Sequence, residues 1–299
     1  MIKFTKNKGF VAVLLIALVL LAGVGCDKVF RRPKEKQSKQ DQEQKKSPPK
    51  TLTSLENTTE TMIKSIQEVE EKRAEAAQQK QGKEQESGQD KGKQEEEKKE
   101  EKPEDKDKKQ EEKLEEGGQQ EKSKEKQEKP EPLDWDRMQK NVEKLQKSWS
   151  DYVNTALKDG ASTDLVKEYE NQLDTLTTKV MEEQEESLLD TANDLYKYYP
   201  KFFDLYKHKA PPNIKDMKYY IRKIIIAGEK SQWTDTQKSM DAIKQAWDIA
   251  KSRMEKPDKD LNRRVETAID SFSRSVKQEN THLVKLKGNI LMDMLEEIK

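Results

Sequence analysis

The chain has 299 residues, 59 Lys and Arg against 59 Asp and Glu, and 39% of it is charged. Globular domains average about 25% charged residues, so part of this chain is too polar to bury a core. Zero net charge with both signs finely mixed excludes a one-sign tail for nucleic acid or another polyanion. A single cysteine excludes an internal disulfide.

Residues 1–25 read as an export leader. Lys3, Lys6 and Lys8 precede an apolar run from Phe10 to Val24. A membrane-spanning helix needs about 20 apolar residues, whereas this shorter run fits the central region of a signal peptide. The run closes on Leu21-Ala22-Gly23-Val24-Gly25-Cys26. That stretch resembles the lipobox of bacterial lipoproteins, in which cleavage falls just before a cysteine. Gly25 and Cys26 fit the pattern; Gly23 stands where it usually has a larger aliphatic residue. The resemblance implies that Cys26 carries a diacylglycerol through a thioether. It also implies a mature protein lipid-anchored at the outer face of the cytoplasmic membrane, since two or more acyl chains hold a protein stably. The competing readings are an uncleaved anchor and a plain secretory signal.

Residues 26–50 and 77–132 are dominated by Lys, Glu, Gln and Asp. Such segments bury too little surface to offset chain entropy. Both read as disordered, the first as a tether and the second as a charged spacer. As a flexible coil, some 55 residues span roughly 40 Å on average, a reach that suits a module held away from a membrane. Between them, Leu52, Leu55, Met62, Ile63, Ile66 and Val69 share one helical stripe, which predicts an amphipathic helix over 51–76. A lone helix of this length is marginal in water. It docks on the C-terminal domain or on another protein, or else serves only as part of the spacer.

The folded part spans 133–299. Trp135, Met138, Val142, Leu145, Trp149, Tyr152 and Ala156 step by three and four, the period of an amphipathic helix. Asp159-Gly160 stops it, and Ser162 or Thr163 caps a second helix carrying Leu165, Tyr169, Leu173, Leu176 and Val180. Leu188, Ala192, Leu195 and Tyr199 mark a third, with a kink expected at Pro200. Ile214, Met217, Ile221, Ile224 and Ile225 mark a fourth. No stretch reads as a strand.

The pattern then returns. Shifted by 98 positions, Trp135, Val142, Leu145 and Trp149 fall on Trp233, Met240, Ile243 and Trp247. Shifted by 96, Leu173, Leu176, Val180, Leu188, Leu195 and Tyr199 fall on Ile269, Phe272, Val276, Val284, Leu291 and Leu295. This predicts an internal duplication. The fold class is all-α: a helical bundle or short helical solenoid of two duplicated three- to four-helix units, about 133–210 and 231–299, after the disordered charged spacer. The helix at 214–230 precedes the second unit. The 51–73 helix stands before the first in the same way, across the spacer.

Few residues carry recognisable chemistry. His208 and His282 each stand alone, without a second ligand at metal-site spacing. No nucleophile elbow or phosphate-cradling loop is present, so the expectation is a non-catalytic protein without a cofactor. Glu182, Glu183, Glu185 and Glu186 either offer carboxylates to a hard cation or form a solvated helix end.

The densest region is 196–223, which holds eight of the chain's 18 aromatic residues interleaved with Lys and Arg. Rings beside cations suit a surface for an anionic or sugar-bearing polymer or for a protein. The competing reading is a helix hairpin with its aromatics inward and its lysines in water. The candidate binding surface is Tyr196, Lys197, Lys201, Tyr206, Lys207, Lys209, Lys215, Lys218 and Arg222. Together these features predict a membrane-anchored envelope lipoprotein presenting a non-catalytic helical interaction module on a flexible tether. Its C-terminal domain resembles uncharacterised helical lipoproteins of Gram-positive bacteria. The expected partners are the membrane, through lipidated Cys26, and an envelope protein or anionic wall polymer, with no nucleic acid. The alternative is a ligand- or metal-binding subunit of an uptake system.

Overall fold

The computed structural model describes residues 45–90 and 132–298. The leader, Cys26, most of the tether and most of the charged spacer lie outside the described residues. All regular structure among the described residues is helical: α1 Lys50–Asp90, α2 Trp135–Lys158, α3 Thr163–Met181, α4 Leu188–Tyr196, α5 Tyr199–Phe203, α6 Asn213–Glu229, α7 Thr236–Arg253, α8 Lys259–Lys277 and α9 Thr281–Glu296. Side chains placed by the sequence cap several of them. Asp134 accepts from the Arg137 N–H, Ser162 from Leu165, and Asn280 from Leu283, each satisfying a donor that the first helical turn leaves without a partner.

The apolar stripes close onto two cores. Leu52, Leu55, Met62, Ile63 and Ile66 of α1 join α2 to α5 around the first, and α6 to α9 enclose the second. The α1 stripe is 0% to 1% exposed, so α1 is the fourth helix of the first unit rather than a part of the spacer. It also runs to Asp90, well beyond the boundary expected at 76. Ala, Glu, Lys and Gln are strong helix formers, and the docked stripe supplies the costly nucleus that a lone helix lacks.

The two units match position by position. Leu145 and Ile243, Leu176 and Phe272, Leu188 and Val284, and Leu195 and Leu291 are all fully buried. Trp149 and Trp247 are 3% and 2% exposed. The turns match as well. Glu182, Glu183 and Gln184 donate their N–H groups to Thr178, Val180 and Lys179; Gln278, Glu279 and Asn280 donate theirs to Arg274, Val276 and Ser275. Glu183 and Glu279 both take positive φ, 53° and 50°, which is uncommon for a residue other than glycine. The leading helices correspond too, at a shift of 162: Leu52, Leu55, Thr59, Met62 and Ile63 match Ile214, Met217, Ile221, Ile224 and Ile225, all buried.

Two differences have local causes. The third helix of the first unit breaks between α4 and α5, at residues 197–198, because Pro200 has no N–H to give the Tyr196 carbonyl one turn back and its ring crowds that carbonyl. Its counterpart α9 is unbroken. In the second unit Trp233 lies before α7 and folds back on Gly228, where a Cβ would come within 2.8 Å of the indole.

The units face each other through equivalent helices. Asn193 on α4 donates to the Tyr219 carbonyl on α6 at 3.2 Å, and Lys285 on α9 pairs with Glu71 on α1 at 2.8 Å. The α4–α6 contact is close packing, whereas α9 reaches α1 through the Lys285–Glu71 ion pair. Consecutive helices within each unit run antiparallel, and α1 and α6 run parallel across the interface, with Glu56 opposite Lys215 and Glu60 opposite Arg222; this defines two ends. The tether end gathers Lys45 to Pro49, the α2–α3 turn and residues 204–213: Lys46 pairs with Asp159 at 2.7 Å, and its carbonyl accepts from the Lys207 N–H at 2.7 Å. The far end gathers the continuation of α1 with the α3–α4, α6–α7 and α8–α9 turns.

This arrangement corrects the expected role of the spacer. Residues 51–76 and 133–298 belong to one folded body, so the spacer joins two points of that body instead of joining the body to its anchor. It leaves at the far end, in the topological place that the short turn Lys230 to Asp235 fills in the second unit. Residues 27–44 lie between Cys26 and the first described residue of the body, Lys45.

Candidate interaction surface

The 196–223 region divides into three parts. The first is core. Tyr196, Tyr199 and Phe202 are fully buried, and Tyr206 is 1% exposed. Their rings join those of Trp149, Tyr152 and Tyr169; Trp149 and Tyr169 lie 4.3 Å apart by ring centres. The hydroxyls bond to one another, Tyr152 to Tyr206 at 3.2 Å and Tyr169 to Tyr199 at 3.0 Å, and Thr59 of α1 completes the chain with Tyr199 at 2.7 Å. Burial holds the Tyr206 phenol up at about 12. Tyr196 and Tyr206 therefore face inward. A buried ring with a bonded hydroxyl gains more from packing than a surface contact offers.

The second part is an ion network with α1. Lys215 Nζ lies 2.5 Å from Glu56 Oε1, and Tyr196 Oη donates to the same oxygen at 3.0 Å. Arg222 Nη2 donates to Glu60 Oε1 at 3.0 Å, while Lys218 sits 3.8 Å from Glu60 and 3.3 Å from Glu296. Arg222 is 2% exposed, and its guanidinium lies 4.5 Å above the Tyr196 ring. Burial alone would raise the Glu60 carboxyl, but Lys218 and Arg222 outweigh it and hold its pKa below the ordinary value. Lys215, Lys218 and Arg222 are thus engaged within the body. Glu56 and Glu60 escaped the sequence reading. The signal for them was two carboxylates four residues apart beside a buried stripe, opposite a cationic helix.

The third part reaches solvent: Lys201, Lys207 and Lys209 are exposed and Lys197 is half-buried. Lys197 and Lys201 lie 4.9 and 6.0 Å from the Tyr198 ring. Lys207 and Lys209 stand in water at the tether end. There a groove of about 500 Å³ is floored by Phe203, Pro211, Ile214 and Leu295, and Lys207, Lys209, Lys215 and Lys218 line its rim. His208 beside it bonds with Arg253, and burial together with that cation lowers its pKa to about 4.

A larger cleft, about 980 Å³, lies at the far end between the units. Glu70, Glu71, Glu75, Glu185, Glu186, Asp190 and Glu229 line it, with Lys230, Lys285 and His282. Glu70 as a residue is exposed, yet its carboxyl sits toward the cleft. Its partial burial and the charge of Glu229 push the pKa up to about 7. Glu185 pairs with Arg73 of α1, and Glu183 closes the α3–α4 turn. Among the described residues no group of three His, Cys, Asp or Glu side chains is placed to hold a metal ion, and no helix is long and apolar enough to cross a membrane.

Fold and surface together define a two-unit, all-α bundle with a basic groove at one end and an acidic cleft at the other. Compared with known protein families, curated proteins and solved structures, the chain matches none of them.

Proposed function

We propose that the chain is a lipid-anchored envelope protein whose helical body stands close to the outer face of the cytoplasmic membrane and projects a charged loop away from it. The observation that carries the reading is the basic and apolar leader ending at Cys26, the only cysteine. A secreted chain has little use for one unpaired cysteine unless it is modified. The body acts as a non-catalytic interaction module for an envelope protein or an anionic wall polymer. The exposed Lys201, Lys207 and Lys209, the half-buried Lys197 and the charged segment 91–131 are the parts left available to a partner.

The test is metabolic labelling with a fatty acid in cells expressing wild type or Cys26→Ser. Label on the wild-type protein alone, with Cys26→Ser unprocessed or shed, supports the reading. A Cys26→Ser protein processed and retained like wild type contradicts it.

A further inference from the structure

We propose that the tether end of the body docks on an anionic lipid surface, so that the protein stands end-on against the membrane with its acidic end and charged loop outward. The setting rests on the lipid-anchor reading; the docking chemistry rests on the folded body alone.

The last residues of the tether are fastened to that end. The Lys46 carbonyl accepts from the Lys207 N–H at 2.7 Å, Lys46 Nζ bonds Asp159 at 2.7 Å, and Lys45 Nζ donates to the Asp204 carbonyl at 2.6 Å. These bonds tie the chain to the α2–α3 turn and to the loop after α5. Lys45 follows Cys26 by 19 positions, a length of chain that spans at most roughly 65 Å. A body fastened this way turns the same end toward whatever holds the tether.

That end has the chemistry for the encounter. Lys158, Lys207 and Lys209 are exposed. Lys158 adjoins Asp159 in the chain and the Lys207 N–H bonds the Lys46 carbonyl, so the Lys46–Asp159 pair joins these two; Lys209 stands at the same end, two positions after Lys207, beside a hollow it shares with Glu255, Asp258 and Glu297. No ion pair engages these three among the described residues, whereas Lys215 and Lys218 are held by Glu56, Glu60 and Glu296. Leu157, 40% exposed, adds an apolar side chain to the same rim. The α7–α8 turn is mixed, Lys256 and Lys259 against Glu255, Asp258 and Asp260, so the basic face belongs to the first unit. The far end is crowded with carboxylates, and an anionic surface repels it. Each lysine close to such a surface strengthens binding about fivefold. Attachment through Cys26 keeps the patch at high local concentration, so weak contacts suffice.

The test uses the chain from Asp27 onward, which keeps both cores and lacks the lipidation site. It is sedimented with vesicles of phosphatidylcholine alone or with about 30% phosphatidylglycerol. Binding to the anionic vesicles only, reduced about a hundredfold by Lys158→Gln, Lys207→Gln and Lys209→Gln together, is the expected result. The comparison variant carries Lys140→Gln, Lys144→Gln and Lys147→Gln, three exposed lysines of α2 away from the tether end. It should keep most of the binding, with both variants as helical as wild type. Equal loss in the two variants, or binding indifferent to lipid charge, overturns the proposal. Because Cys26 is absent, these outcomes stand apart from those of the labelling experiment. Selective docking by a protein that carries no lipid in cells removes the anchor alone; lipidation with indifferent docking removes this proposal alone.

Discussion

Glu60 and Arg222 occupy the same position in the two repeats, 162 residues apart, and they pair with each other across the interface at 3.0 Å. In a twofold arrangement a position near the axis meets its own equivalent. Identical charged residues there would repel, and opposite charges turn the same contact into an attraction. The two cores are alike in burial at matching positions, while the residues that meet here are complementary in charge.

Breaking this pair has a defined cost. Glu60→Gln leaves Arg222 buried without its anion and should destabilise by about 2–3 kcal/mol, below the range for a wholly buried pair because Glu60 keeps 23% exposure. Adding Arg222→Met removes the stranded charge, so the double variant should be more stable than Glu60→Gln alone. The folded-state pKa of Glu60 is depressed. Its contribution is therefore present above the unfolded value of 4.5 and disappears as pH falls through the folded value. Urea midpoints measured from pH 7 downward should show a large penalty for Glu60→Gln at pH 7 that shrinks progressively once the pH falls below 4.5.

Glu70 has the opposite sign. Its pKa is raised to about 7, so the folded state binds the proton more tightly and gains stability as pH falls from about 7 toward 4.5. Glu70→Gln should stabilise the protein at pH 8 by no more than about 1 kcal/mol, since the residue is exposed to solvent. At pH 5 it should change little. Thermal midpoints at the two pH values measure this, and a gain at pH 5 equal to that at pH 8 would rule out the acidic cleft as the cause.

Much of this was legible in the sequence because helical periodicity is local. The stripes of α2 to α4 and α6 to α9 and the repeat shifts of 98 and 96 are visible without knowing what packs where. The helix at 51–76 was legible as a helix, but its docking was not, since residues 77–132 separate it from everything it touches. The candidate surface failed to resolve for the same reason. Tyr196, Tyr206 and Arg222 look amphipathic in isolation, and only contact with α1 supplies the Glu56 and Glu60 carboxylates and the Thr59 hydroxyl that satisfy Arg222 and the tyrosines.

The tryptophans test the duplication. Trp149→Ala and Trp247→Ala should each cost about 3–5 kcal/mol, because both rings are buried at equivalent positions. Their surroundings differ in chemistry. Trp149 lies against Tyr169, Tyr152 and Phe202, whereas Trp247 sits in a core of mostly aliphatic residues. Chemical denaturation of the two variants should give similar losses; a loss below 1 kcal/mol for either one would break the equivalence.

The spacer should be dispensable for folding. Replacing residues 91–131 with a Gly/Ser linker of about ten residues shortens one connection at the far end and should stabilise the body by about 1 kcal/mol through reduced closure entropy. Circular dichroism and a denaturant midpoint check it. Loss of the fold would mean that the spacer takes part in packing.

The most direct test places a site-specific protease sequence within residues 91–131 of the full-length protein and cuts it on intact protoplasts. Docked α1 should keep the fragment from Leu133 onward on the membrane after complete cleavage, releasing it only in denaturant. Release of that fragment into the supernatant on cleavage alone would contradict the account, because the spacer would then be the link between anchor and body.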